Sequence, residues 1–192
     1  IGQLATHERL TRGHTERVRA YAELIGDELG LDDDDRDRLR WAALLHDVGK
    51  LRVPSSVLSK PGALTAAEWD VLRQHPADAA IMLAPLQPWL GDWVLGASHH
   101  HERWDGEGYP AGLAGEQISL AGRIIAVADA YDVITSRRSY KAPRSPEEAR
   151  QELVTGAGHQ FDPAVVRAML HAGLQQRAPR TSPFGWILEL PS

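Results

Sequence analysis

An all-α bundle is the fold class this sequence predicts, on three observations. Apolar residues recur at threes and fours along most of the 192 residues, the spacing that gathers them on one face of a helix. Residues that start and stop helices punctuate those runs. Short β-branched stretches occur, but none is paired with a hairpin signal.

The elements follow in order. Val18, Tyr21, Ala22, Ile25 and Leu29 mark a first helix, and Gly30 stops it. The acid run Asp32 to Asp35 reads as an N-cap and first turn, because carboxylates favour the positive end of a helix dipole. The helix behind it carries Leu39, Ala42, Ala43, Leu44 and Leu45 into His46–Asp47, and Gly49 ends it. A loop punctuated by Pro54, Pro61 and Gly62 comes next. Thr65 and Glu68 form a capping-box pair that opens a helix running up to His75–Pro76. Further helices are expected over residues 77–86 and 88–101. Residues 120–134 predict a long buried helix containing Asp129 and Asp132. Residues 145–154 and 163–172 predict two amphipathic helices, the second stopped by Gly173. Pro179, Pro183 and Pro191 break up the tail, yet Phe184 to Leu188 is apolar, so it is expected to pack along its own domain. Trp41, Trp69, Trp89 and Trp93 fall on apolar helix faces and are expected in the core.

Bulk composition narrows the function classes. The length fits one domain, and 43% apolar residues argue for a folded globule. No apolar run is long enough to cross a bilayer, and no secretory signal opens the chain. It begins at Ile1 rather than Met, which reads as an excised piece lacking an upstream sensor or receiver domain. Zero cysteines exclude disulfides and thiolate metal sites, a usage compatible with a cytoplasmic enzyme. A net charge of −5 gives no reason to expect nucleic-acid binding.

The chemistry concentrates in SHHHERWDGEGYP, residues 98–110. Buried imidazoles need hydrogen-bond partners and make poor core residues, but their neutral nitrogens ligate transition metals well. The glycines beside them allow a sharp turn. Candidate ligands recur along the chain roughly every thirty residues, about one helix and a connection. They are His14, His46, Asp47, His75, His100, His101 and Asp129. Successive helices can aim such groups at one centre. Asp129 sits amid Ile124, Ile125, Ala126 and Val127, where an unpaired carboxylate would be costly and a metal would compensate it. His99 points about 100° from His100 on a helix and is read as a bystander. His7, His159 and His171 are read as surface or packing residues. Trp104 could line a pocket.

The ordered set resembles the HD superfamily of metal-dependent phosphohydrolases, and within it the HD-GYP family of cyclic di-GMP phosphodiesterases. The segments that carry the resemblance are His14 to Val18, LLHDVGK from Leu44 to Lys50, LSKPGALTAAEW from Leu58 to Trp69, and His75–Pro76. HHERWDGEGYP from His100 to Pro110, RIIAVADAYDVITSRRSYK from Arg123 to Lys141, and GHQFDP from Gly158 to Pro163 complete it.

The resemblance implies an HD-superfamily helical bundle with a GYP loop and additional C-terminal helices. Residues 1–176 would form the catalytic domain and 177–192 a tail. It implies that His46, Asp47 and Asp129 bind core metals, that His14, His75, His100 and His101 complete the cluster, and that Asp47 bridges. Lys50 would contact a phosphate oxygen. Arg138 and Lys141 would hold substrate phosphates, and Tyr109 and Pro110 would shape the pocket mouth. The implied metals are two divalent ions, Fe or Mn. Some family members carry a glutamate for a third metal where Leu10 stands, so a third site is not expected. Arg137 and Ser139 also depart from the acid and proline often found around Arg138.

The activity so implied is hydrolysis of cyclic di-GMP to linear pGpG and onward to GMP, with metal-activated hydroxide attacking phosphorus. The rival readings are a non-catalytic module binding a cyclic dinucleotide or a diguanylate cyclase partner, and an HD phosphohydrolase acting on another nucleotide. A homodimer is a further expectation.

Overall fold

The computed structural model describes residues 2–136 and 144–172, with side chains from Gly13 onward. Among the described residues there is no strand, only isolated bridges joining Asp105 to Ala114 and Ala157 to Phe161. The all-α expectation holds.

The helices are α1 (Gly2–Glu28), α2 (Asp33–Leu45), α3 (Ser55–Leu58), α4 (Ala66–Arg73), α5 (His75–Leu83), α6 (Gln87–Leu90), α7 (Gly96–His99), α8 (Leu120–Thr135), α9 (Pro146–Gly156) and α10 (Pro163–His171). Several begin where the caps predicted. The Asp32 carboxylate accepts from the Asp35 amide, which makes the acid run an N-cap and first turn. Thr65 and Glu68 close a reciprocal capping box on α4, and Ser145 and Glu148 do the same on α9.

Departures from the expected helices have local causes. The helix expected over 88–101 is broken into α6, a 3-10 turn over Gly91–Leu95, and α7. Gly91 takes φ +57, a left-handed conformation that ends α6. The helix expected over 77–86 starts earlier, at His75, and loosens into a 3-10 turn at Ala84–Leu86, where Pro85 cannot donate. The expected loop after Gly49 holds a 3-10 turn (Val48–Arg52) and the single turn of α3.

Helix α8 is the spine. It packs against α1, α7, α9 and α10, and Ile124, Ile125, Val127 and Ala128 along it are fully buried. Val18, Ile25, Leu39, Leu153, Val165 and Met169 join them in the main core. A smaller cluster of Ala79, Leu83, Leu90, Val94 and Ala97 holds α5 to α7. Burying each such large aliphatic side chain contributes about 1.5–3 kcal/mol.

Two expected core tryptophans are corrected. Trp69 is 46% and Trp89 51% exposed. No residue of α4 is buried, so Trp69 has no core to enter. Trp89 covers only the rim, edge-on to Trp41. Trp93 does pack against the main core, and its indole donates to Asp35. Arg138, Lys141 and the tail 177–192 lie outside the described residues, as does the side chain of Leu10 in α1.

Candidate metal centre

The motif His46–Asp47-x-Gly49–Lys50 sits where α2 turns into the following 3-10 turn. Gly49 explains its own place there. A Cβ on Gly49 would lie 1.9 Å from the His75 carbonyl oxygen, so only glycine lets this turn press against the start of α5. That contact brings His75 to Asp47. At the other side, Gly96 and Gly122 let α7 and α8 approach closely: a Cβ on Gly96 would lie 2.8 Å from Ile125, and one on Gly122 2.6 Å from the His99 Cβ. His100 and His101 follow directly from α7.

Three histidines are oriented the same way. The Nδ1 groups of His46, His75 and His100 lie 2.7, 2.7 and 2.9 Å from the carbonyl oxygens three residues earlier, of Ala43, Leu72 and Ala97. Nδ1–H is therefore the donor in each, and Nε2 is left with its lone pair. Those Nε2 atoms converge on Asp47. His46 Nε2 is 3.4 Å from Asp47 Oδ2, while His75 Nε2 and His100 Nε2 are 3.5 and 3.9 Å from Oδ1. Asp47 Oδ1, His75 Nε2 and His100 Nε2 are all buried without a hydrogen-bond partner. Three convergent acceptors with nothing donating to them form a donor set that could hold a metal cation.

Among the described residues, two groups have ligand atoms close enough to share an ion: His75, His100 and His101, and His14, His46 and Asp129, each within 4.8 Å. Asp47 lies between them, one oxygen toward each. The donor set fits divalent transition metals, with imidazole and carboxylate and no thiolate.

Electrostatics favour a ligating form of these groups. Burial is the main force pushing His75, His100 and His101 down, His101 to about 3, so their imidazoles stay neutral. Burial alone would raise Asp47, but neighbouring positive charge, with the Lys50 ammonium bonded directly to it, outweighs burial and holds its carboxyl well below the usual range. The Lys50 ammonium donates to Asp47 Oδ2 at 2.7 Å.

His14 is positioned differently. Its Nδ1 donates to Asp132 Oδ2 at 2.7 Å, and its Nε2 lies 3.4 Å from Asp129 Oδ1. Arg17 donates to both oxygens of Asp132. Sequence reasoning placed the buried acid of α8 at Asp129. That residue is 21% exposed, and the side chain that is 1% exposed is Asp132. The signal for this orienting acid was its place one helical turn after Asp129.

Glu102 was also missed. It is buried, and its carboxylate accepts from the Ala111 and Leu113 amides at 2.6 and 3.0 Å. This folds the glycine turn back so that the Tyr109 ring stacks on His101, 4.8 Å between centroids. Gly108 is required here too, since a Cβ would lie 2.3 Å from the Arg103 nitrogen. Trp104 and Asp105 donate backbone bonds to Gln160 and His159, tying the turn to the GHQFDP segment. Asp162 in that segment caps α10 and binds Arg123 at 2.7 Å.

A cavity of about 520 Å³ opens over the centre, lined among others by His100, His101, Asp129, Tyr109 and Arg73. Pro110 is exposed and does not line it. Trp104 does not line it either, because its ring packs under the Arg123 guanidinium at 5.9 Å. His99 is spent structurally, its Nδ1 accepting from the Ser119 amide. His159 and His171 are exposed, as expected.

A family model described as HD domain matches residues 2–165. The chain belongs to the HD domain family. Among its relatives, the 3'3'-cGAMP-specific phosphodiesterase 2 of Vibrio cholerae is 39% identical over 163 residues, 84% of this chain and 31% of that protein. A cyclic di-GMP phosphodiesterase of Thermotoga maritima is 41% identical over 161 residues, 83% of this chain and 44% of that protein. These relatives bear out the HD-GYP resemblance. The solved HDG"Y"P protein of Bdellovibrio bacteriovorus shares the fold at a TM-score of 0.65 and 18% identity, covering 81% of this chain and 50% of that one. The HD domain chain spans less than half the length of both curated relatives. No helix among its described residues is long and apolar enough to cross a membrane.

Proposed function

We propose that this HD domain is a metal-dependent phosphodiesterase that opens cyclic di-GMP to linear pGpG and cuts that onward to GMP. The observation that carries the reading is the set of unpartnered Nε2 atoms and Asp47 Oδ1 converging beneath a cavity of dinucleotide scale. The names of the relatives support a cyclic dinucleotide as substrate.

Seven residues would hold two ions: His75, His100 and His101 one, His14, His46 and Asp129 the other, with Asp47 bridging. Fe or Mn suits this shell of imidazole and carboxylate. Divalent ions bound there supply Lewis acidity, which lowers the pKa of water and neutralises phosphoryl charge. The chain's own groups do the rest. Asp47 stays ionised beside the neutral imidazoles of His75, His100 and His101. Lys50, held at Asp47, places a positive charge where a phosphoryl oxygen would sit. Tyr109, stacked on His101, forms a wall that orients the macrocycle and excludes water. Arg138 and Lys141 are proposed to hold phosphate as well. A cytoplasmic location and regulation by an attached sensor or receiver domain belong to the same proposal.

The test is replacement of His46 and Asp47 together by alanine. The wild-type protein loaded with Fe or Mn is expected to convert cyclic di-GMP to linear product, and the double variant to lose this by at least a thousandfold. Turnover surviving in the variant would overturn the assignment. A wild type that cleaves 3'3'-cGAMP and leaves cyclic di-GMP intact would overturn the choice of substrate.

A further inference from the structure

We propose that Arg73 is a substrate-contacting residue that takes the non-scissile phosphate of the cyclic dinucleotide. The proposal rests on the phosphodiesterase reading above and adds a specificity determinant separate from Lys50.

Arg73 ends α4 and lines the same cavity as His100, His101 and Asp129. Its guanidinium carbon lies 5.6 Å from the Tyr109 ring centroid and 6.0 Å from that of Trp69. Tyr109 in turn stacks on His101. A continuous stack thus runs from a candidate metal ligand out to Arg73. Aromatic faces hold a guanidinium by its own face and leave its edge donors free.

The other cations near the cavity are already engaged, as are two of its carboxylates. Arg103 gives two hydrogen bonds to Asp105, at 3.0 and 2.6 Å. Glu102 is taken by the loop amides. Glu152 accepts from Arg144. Lys50 is bonded to Asp47. Among the described residues Arg73 has its aromatic contacts and no carboxylate. A positioned guanidinium without an anion, facing a cavity, is complementary to a phosphate, whose paired oxygens match the planar fork.

The chemistry of the substrate requires such a group. A cyclic dinucleotide carries two phosphodiester anions, and only one can occupy the reacting position at a time. The other enters a cavity whose remaining carboxylates would repel it. Helix α4 gives the same answer independently. None of its residues is buried, and Trp69 is half exposed. It adds little to the core, yet its capping box fixes its start and its last residue, Arg73, reaches the Tyr109 ring with Trp69 beside it.

The experiment compares wild type, Arg73→Ala and Arg73→Lys, each with metal content verified. The substrates are cyclic di-GMP and bis(p-nitrophenyl) phosphate, which has a single phosphate. Equilibrium binding of a phosphorothioate analogue of cyclic di-GMP is read in parallel. Arg73→Ala is expected to raise KM for cyclic di-GMP and weaken analogue binding about 10- to 100-fold, as for loss of a charge-assisted contact. The fall in kcat should be smaller. Lysine should recover only part, since it lacks the fork. The loss on the single-phosphate substrate should be much the smaller. Wild-type KM and analogue binding in Arg73→Ala, or equal losses on both substrates, would overturn the role given to Arg73. A wild type inert toward both cyclic di-GMP and 3'3'-cGAMP would instead overturn the phosphodiesterase reading, and this proposal with it.

Discussion

Gly49→Ala is the smallest change that should dismantle the centre. The added methyl would stand 1.9 Å from the His75 carbonyl oxygen and 2.8 Å from the Ala79 amide nitrogen, both backbone atoms. A carbon–oxygen contact needs about 3.3 Å, so the turn and α5 must separate by roughly 1.4 Å. Overpacking of this kind typically costs about 1–3 kcal/mol. For a domain of this size that is a fall in Tm of several degrees, roughly 2–4 °C per kcal/mol. The functional loss should be larger. His75 Nε2 lies 3.5 Å from Asp47 Oδ1, and moving α5 outward opens the gap on which a shared ion depends. Metal affinity at the His75, His100 and His101 group should fall by about 10- to 100-fold, the scale seen when ligand orientation is lost. Thermal melts of metal-free protein and metal titration with elemental analysis measure the two effects separately. A Gly49→Ala protein with wild-type Tm and full metal content would refute the packing argument.

Two other perturbations test the surrounding layer. Asp132→Asn removes the buried charge that orients His14 and pairs with Arg17; breaking such a pair costs about 3 kcal/mol. Urea unfolding should show that loss, and metal titration should show weaker binding at the His14 group with the His75 group retained. Equal affinity at both groups would deny Asp132 its orienting role. Acidification of metal-free protein is the other. Burial first of all lowers His75, His100 and His101 below 6.5, His101 to about 3, while unfolded imidazoles protonate near 6.5. From pH 6.5 downward the unfolded chain therefore binds protons that the folded chain refuses, so stability falls. Urea midpoints in chelator should be lower at pH 5 than at pH 7.5. Equal midpoints would mean that the folded imidazoles accept protons readily.

Much of this molecule was readable before its coordinates, for specific reasons. The helices were legible because burial imposes a period, and Ile124, Ile125 and Ala128 display it plainly. Caps such as Thr65 with Glu68 were legible because their chemistry is local. The candidate ligands stood out because a row of imidazoles makes little sense in a core. What stayed hidden depends on relations between segments. Asp132 looks like any helical acid until Arg17 and His14 are seen against it. Glu102 finds its partners nine and eleven residues later, in a loop whose path no local pattern specifies. Trp69 and Trp89 lie on apolar stripes, but a stripe predicts burial only where another element covers it. The break at Gly91 was overlooked because one glycine inside an apolar run is often tolerated in a helix.

The central claim is that seven convergent side chains hold two divalent ions which act on a cyclic dinucleotide. The most direct measurement is elemental analysis of anaerobically purified protein, run on the same preparation as product identification from cyclic di-GMP. The account predicts two Fe or Mn ions per chain and a linear product whose yield follows metal content. Substoichiometric metal with full turnover, or two bound ions with no turnover of any cyclic dinucleotide, would contradict it.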